Sequence, residues 1–407
     1  MPDVGVVPSA KRLRVGLIST CPPRQCGIAT FSKDLERAIK TADPSVRVDW
    51  AAINEATSLH SYGPEVSWRI RQSDINSYRS AAAQLNATAV DVVCLQHEFG
   101  LYGVWGDPFE DHLIGFLETL RKPLVTTMHS VLPDPSPSVR AAVRRLALHS
   151  HQVVVMAERA RTLLLESYAI DPQRVSVVPH GVPPVEPHGR VRMKDHFGVA
   201  GRTVITTFGL VDPRKGLEFM IEAMASIREQ DPAALYLIVG KTHPELIRRD
   251  GEAYRAQLWR LVKERRLEQH VDFVDEYLTQ AQIVEYLLAS DVYVTPYLDP
   301  NQITSGTLAY ALGAGKAIVS TPYAHAVEVL AHERGLLVPF RSAPHLADAV
   351  QRILSDAALK RRLERNAYAY GRETAWPRIG ERMLSILQSA AAAPYSVPHD
   401  RLLAAFA

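Results

Sequence analysis

The sequence predicts an α/β protein built from two doubly wound domains, each around a mainly parallel sheet. Three observations carry that expectation. Short, continuous runs of Val, Ile and Leu recur along the chain, separated by segments of helix length. Such runs lack the in–out alternation of a half-exposed strand and suit strands covered on both faces. The pattern breaks at Val182-Pro183-Pro184-Val185-Glu186-Pro187-His188-Gly189, which is proline-rich and without periodicity, and then begins again. At 407 residues the chain is long enough for two domains, each with its own core.

Taken in order, residues 1 to about 12 read as a loose tail and 13–19 as a strand, β-branched and of strand length. The loop that follows, Thr20 to Thr30, contains Pro22, Pro23 and Gly27, and a helical pattern starts with Phe31, Leu35, Ala38 and Ile39. Strand, loop and helix make the opening of a βαβ unit. The loop does not read G-x-G-x-x-G, so a dinucleotide site is not expected. Further strands are expected at 46–53, 90–95, 124–128, 153–156 and 175–178. Ligands of such sheets bind beyond the carboxyl ends of the strands. That rule gathers Gly27, Gln96-His97-Glu98, His129-Ser130 and His180-Gly181 at one crevice of the first domain. Beyond the break, strands are expected at 203–208, 235–239, 271–274, 291–295 and 317–320, with helices at 217–228 and 253–266. The boundaries are therefore set at 1–184, 185–375 and 376–407. The last segment is an amphipathic helix from Trp376 to about Gln388, followed by a weakly ordered Ala-rich extension.

A formal charge of +2 gives no electrostatic footprint for nucleic acid. No apolar run approaches the roughly 20 residues of a membrane span, and the N-terminus lacks the apolar core of a signal peptide. Cys21, Cys26 and Cys94 do not form a disulfide framework or a zinc pair, and are read as free thiols in a reducing, cytoplasmic compartment. With no Asp-x-Asp or His-x-x-x-His pattern, a catalytic metal is not expected.

Several stretches carry candidate chemistry. Arg214 and Lys215, in the turn after the first strand of the second domain, suit a diphosphate: Arg grips it bidentately and Lys neutralises it. The bland reading, a solvated turn, stands beside that one. Residues 296–316 contain a helix whose start holds Thr304, Ser305, Gly306 and Thr307, where unpaired N–H groups and the dipole favour an anion. In the first domain, Gly27 lets backbone approach a phosphate, and His129 faces either a sugar hydroxyl or only its own core. Gln96, His97 and Glu98 cluster polar groups that an interior would not favour unpaired. A basic amphipathic helix over 136–146 has either a weak peripheral membrane role or an ordinary solvated face.

The chain resembles the family 4 retaining glycosyltransferases of the two-domain GT-B fold. The resemblance rests on Pro23-Arg24-Gln25-Cys26-Gly27-Ile28-Ala29-Thr30-Phe31, Val178-Pro179-His180-Gly181-Val182 and Phe208-Gly209-Leu210-Val211-Asp212-Pro213-Arg214-Lys215-Gly216. It continues through Ala289-Ser290-Asp291-Val292-Tyr293-Val294-Thr295-Pro296 and Ala311-Leu312-Gly313-Ala314-Gly315-Lys316-Ala317-Ile318-Val319-Ser320-Thr321. It implies two Rossmann-like domains facing across a cleft, a nucleotide-diphosphate sugar donor held mostly by the second domain, a saccharide or glycoconjugate acceptor on the first, and no metal or separate cofactor. Lys215, helped by Arg214, would hold the diphosphate, the Gly27 loop would approach it, and His129 would lie against the transferred sugar. Ser305, Gly306 and Thr307 would add donors, and Glu98 is a candidate for acceptor binding or base work. The last helix would return to the first domain.

Three departures accompany the resemblance. The family's usual arginine after the glycine is Leu210 here, and its paired glutamates, eight positions apart, fall at Gln302 and Tyr310. Gln302 retains hydrogen-bonding capacity towards a sugar, whereas a tyrosine cannot copy a carboxylate's bidentate hold on ribose. Two further readings follow: a sugar-1-phosphate-using phosphorylase of the same fold, and a non-catalytic carbohydrate-binding relative.

Overall fold

A computed structural model of the chain describes residues 12–55 and 60–393. The chain divides into two compact units: one takes the residues up to Met156, Ala160–Val178 and those from Pro377, the other Ala157–Arg159 and Pro179–Trp376.

The first unit contains β1 (Arg14–Ser19), β2 (Arg47–Asn54), β3 (Val66–Arg71), β4 (Val92–His97), a small hairpin of β5 (Gly103–Val104) and β6 (Glu110–Asp111), then β7 (Leu124–Met128), β8 (Gln152–Val155) and β9 (Val175–Val177). Seven of these form one parallel sheet in the order β3-β2-β1-β4-β7-β8-β9. Leu17 of β1 pairs with Trp50 on one side and Cys94 on the other. The order reverses between β1 and β4, which makes the loops after those strands the topological switch point. Continuous burial of β4 and β7 agrees with the apolar runs. The strand β3 was not expected. It is an edge strand with alternating exposure, and its Trp and Arg residues break the continuous-run signal.

The helix Gly27–Ala42 starts four residues before the first apolar landmark, so Gly27 is its first residue rather than part of the loop. Cys26 caps it, its Sγ accepting from the Ala29 N–H at 3.4 Å and lying 3.1 Å from Thr20 Oγ1. Phe31, Leu35, Ala38 and Ile39 form its buried face at helical spacing. The final helix, Trp376–Ala392, runs further than expected and packs so closely on this one that a Cβ at Gly380 would lie 2.2 Å from the Ala38 carbonyl oxygen. The extension expected beyond it lies mostly outside the described residues.

In the second unit β10 (Thr203–Phe208), β11 (Ala234–Val239), β12 (Val271–Val274), β13 (Val292–Thr295), β14 (Ala317–Ser320) and β15 (Leu336–Leu337) form a parallel sheet in the order β12-β11-β10-β13-β14-β15. Five of the six lie where the apolar runs put them. The sixth is two residues long and leaves no pattern. Here the order reverses between β10 and β13, so the loops after them, 209–216 and 296–305, occupy this unit's switch point. Among the described residues, no helix is long and apolar enough to cross a membrane.

Candidate functional site

The second unit brings its two switch-point loops into direct contact. Leu298 N–H donates to the Arg214 carbonyl at 2.9 Å, and a Cβ on Gly216 would lie 2.3 Å from the Pro296 carbonyl oxygen. Gly216, at φ +61°, is therefore fixed both by backbone conformation and by lack of space. This contact sets Lys215 Nζ 3.7 Å from the ring centroid of Tyr297. Tyr297 is wholly buried, stacks on Tyr323 and shares a 2.7 Å hydrogen bond with Thr307 Oγ1. Thr307 Oγ1 in turn lies 3.1 Å from Ser305 Oγ. A cation on an aromatic face is held electrostatically while its N–H donors remain available.

Ser305 caps the helix Gly306–Gly313, accepting from Leu308 N–H at 3.3 Å, while Ser305 N–H donates to the buried His325. Thr304 thus lies before the helix and not in its first turn. The N–H groups of Gly306 and Thr307 belong to the first turn, where the helix offers no carbonyl partner. His180 lies against this start: a Cβ on Gly306 would come within 2.9 Å of its Nε2. The expectation that His180 joins the first domain's crevice is corrected here. The chain leaves the first unit after Val178, and His180 belongs to the second. Desolvation pushes His180 down to about 4, so at neutral pH it is an uncharged ring.

In the first unit, Gln96 and His97 are the last two residues of β4 rather than the start of the following loop. His129 follows β7, is buried, and its Nε2 lies 3.0 Å from Gln96 Oε1, with Phe31 edge-on at 4.7 Å. Since Gln Oε1 only accepts, this ring nitrogen carries the proton. Glu98 accepts from Ser130 Oγ at 2.8 Å and from Phe99 N–H at 2.8 Å. His129, Glu98 and the helix start at Gly27 thus gather around the β1/β4 switch point, with Ser130 and Gln96 as orienting partners.

Two stretches match family profiles: residues 38–186 match Glycosyltransferase Family 4 and 193–370 match Glycosyl transferases group 1. Sucrose-phosphate synthase from Thermosynechococcus elongatus has a similar structure, with a TM-score of 0.75 over 94% of this chain and 100% of that one, at 19% identity. The chain belongs to the GT-B glycosyltransferases of family 4. The Anabaena HepE protein crystallised with UDP and glucose is also similar, at a TM-score of 0.70 and 16% identity, covering 93% of this chain and all of that one. A D-inositol 3-phosphate glycosyltransferase of Jonesia denitrificans is 25% identical over 65% of this chain and 66% of its own length. A GDP-mannose-dependent monoacylated alpha-(1-6)-phosphatidylinositol monomannoside mannosyltransferase of Corynebacterium glutamicum is 23% identical over 94% of this chain and 99% of its own.

Several expected roles look different inside this glycosyltransferase. Arg214 is turned onto Asp212 in a bidentate pair, Nε to Oδ1 at 2.9 Å and Nη2 to Oδ2 at 2.8 Å. A diphosphate must compete with that carboxylate for it. Gln302 donates from Nε2 to the Thr304 carbonyl at 3.2 Å, folding onto its own loop. Tyr310 is buried among apolar side chains, and its hydroxyl accepts from Gln280 Nε2 at 3.0 Å. The helix Pro137–His149 buries Val139, Val143, Leu146 and Ala147 against the interior. Among the described residues, no group of three or more His, Cys, Asp or Glu side chains is placed to hold a metal ion. The three cysteines are free, and burial pushes Cys21 and Cys94 up to about 12. Tyr297 and His325 were not anticipated as site residues. For Tyr297 the sequence signal was its place one residue into the loop after β13.

Proposed function

We propose that this glycosyltransferase moves a sugar, with retention of anomeric configuration and without a catalytic metal, from a nucleotide-diphosphate sugar to a hydroxyl of a saccharide or glycoconjugate. The observation that carries the reading is Lys215 held over Tyr297 beside the Ser305–Thr307 helix start, at the switch point of the second unit. There a fixed ammonium and backbone N–H groups meet the charge that builds on a leaving diphosphate. The relative named as GDP-mannose-dependent and the neighbour crystallised with UDP and glucose support a nucleotide-sugar donor. The acceptor hydroxyl attacks on the leaving-group face and its proton passes to the departing phosphate oxygen. His129, oriented by Gln96, lies against the transferred sugar.

Replacing Lys215 with Ala should lower kcat by roughly 10²–10³-fold, the usual cost of losing one preorganised charge-stabilising donor. Turnover within threefold of wild type refutes the assignment, and NMR of the product anomer decides retention against inversion. The Tyr310 hydroxyl accepts from Gln280 at a position where the resemblance implies an acid, and this favours one second reading: a sugar 1-phosphate as donor. Phosphate-dependent breakdown of an oligosaccharide would establish it; strict dependence on a nucleotide sugar would exclude it.

A further inference from the structure

The segment after β14 braces the loop that leads into the helix Gly306–Gly313. Thr321 N–H donates to the Thr295 carbonyl at 3.2 Å, and Thr321 Oγ1 donates to the Tyr297 carbonyl at 2.6 Å. Further on, Ala324 N–H donates to the Pro300 carbonyl at 3.0 Å. His325 completes the brace with two different groups. Its backbone N–H donates to the Gln302 carbonyl at 3.1 Å, and its Nδ1 accepts the Ser305 N–H, also at 3.1 Å. One buried residue therefore clamps the loop at two points, on either side of the buried Ile303. A ring nitrogen accepts only when it carries no proton, so the proton of this imidazole sits on Nε2. Burial, with His180 nearby, pushes His325 down to about 3, and the acceptor persists at neutral pH.

The N–H that His325 takes belongs to the cap residue, ahead of the first turn. Ser305 Oγ takes the Leu308 N–H, so side chains hold the cap residue at its backbone and at its hydroxyl. The same hydroxyl lies against Thr307 Oγ1, which bonds Tyr297 under Lys215. His325 enters this chain through Ser305. We propose that His325 is a positioning residue for a diphosphate, fixing the Ser305 backbone so that the first N–H groups of the helix and Lys215 converge on one anion. Donors aimed in advance stabilise charge without reorganising, and they lose that advantage when the backbone carrying them is free to turn. The inference rests on the donor reading given under Proposed function and adds to it a residue that touches no ligand.

The test sets His325→Asn against His325→Phe. Asn is smaller than His and leaves a void, but its Oδ1 can accept the Ser305 N–H; Phe fills the space and cannot accept. A packing role predicts that Phe is the better substitute, and a positioning role predicts Asn. Each full-length variant is titrated calorimetrically with inorganic pyrophosphate, UDP and GDP, with urea unfolding to confirm that it is folded. The Asn variant should bind within about twofold of wild type, even where it is the less stable of the two, and the Phe variant should lose roughly fivefold or more for pyrophosphate and nucleotide alike. Should Phe prevent folding, His325→Leu carries the same comparison. Wild-type affinity in the Phe or Leu variant, or an Asn variant as weak as they are, overturns the role of His325 and leaves the donor reading standing. Failure of the wild type to bind any of the three probes refutes the donor reading, and this role with it.

Discussion

Tyr297 offers the sharpest test of how the second unit holds an anion, because one side chain does two separable things. Its ring carries Lys215 Nζ at 3.7 Å, and its hydroxyl bonds Thr307 at 2.7 Å. Tyr297→Phe keeps the ring and removes only the hydroxyl. Thr307 keeps Ser305 Oγ as a neighbour at 3.1 Å, so the stability cost should be near that of one buried hydrogen bond, about 1 kcal/mol. Tyr297→Leu removes the ring as well. It opens a void against Tyr323 and should cost roughly 2–4 kcal/mol of stability. More tellingly, it frees Lys215 from its platform. A cation–π contact of about 0.5–2 kcal/mol corresponds to a 2- to 30-fold loss of affinity for an anion that needs the ammonium in place. The assay is calorimetric titration with UDP, GDP and inorganic pyrophosphate, alongside urea unfolding of each variant to confirm that the unit is folded. The Phe variant should bind within threefold of wild type, and the Leu variant should lose affinity for pyrophosphate as well as for the nucleotide. Equal losses in the two variants would show that the hydroxyl, not the ring, matters, and the argument for Lys215 positioning would fail.

Two glycines separate ligand space from protein space. A Cβ on Gly27 meets nothing within 4 Å, so Gly27→Ala should leave the melting temperature unchanged or slightly raised, and any fall in turnover then reports on an approaching substrate. Gly306→Ala must instead push His180 Nε2 away from 2.9 Å, and should lower both stability and activity; an unchanged melting temperature would contradict the packing described. Lys316 is buried, donates to the Ser290 carbonyl at 3.3 Å, and desolvation, assisted by Arg190, pushes it down to about 7. Because the unfolded chain releases this proton only near 10.4, it binds more protons than the folded state between these values, and folding stability gains with rising pH across that window. Lys316→Met should remove that gain, of order 1 kcal/mol per pH unit, so the two urea-derived stability curves converge from pH 7 towards pH 10; parallel curves would refute the depressed value.

The fold was legible because its signal is redundant. Each strand buried on both faces repeats the same apolar run, and the runs at 203–208 and 317–320 coincide with β10 and β14. What escaped lacks that redundancy. The edge strand β3 carries alternating exposed residues, and β5, β6 and β15 are two residues long. The site was half legible for a related reason. Lys215, Ser305 and Thr307 are marked by position at strand and helix ends, which the chain order reveals. The partners that decide their state are contacts across the chain: Tyr297 under Lys215, His325 on Ser305 N–H, Gln280 on Tyr310. Residue spacing cannot report such pairs. Arg214 is the exception, since Asp212 stands two residues before it in the same turn, and a carboxylate there both caps the turn and captures the guanidinium.

The geometry also separates two properties that the resemblance joins. The anion-facing part of the second unit is made of Lys215, the hydroxyls of Tyr297, Thr307 and Ser305, and the first N–H groups of the helix from Gly306. None of these groups is supplied by position 302 or 310 itself. Gln302 donates from Nε2 to the Thr304 carbonyl, and the Tyr310 hydroxyl accepts from Gln280 while its ring packs in the core. In the proposed reading, then, affinity for a diphosphate and affinity for a nucleoside are set by different residues. Restoring a carboxylate alone is a poor repair, because Tyr310→Glu would place a charge where the tyrosine ring packs against Phe208 and His180. The double change Tyr310→Glu with Gln280→Arg supplies a partner for that charge. If position 310 governs the ribose, the double variant should gain affinity for UDP or GDP over pyrophosphate, while Tyr310→Glu alone loses stability. A double variant that folds with an unchanged preference would mean that the nucleoside, if one is bound, is held elsewhere.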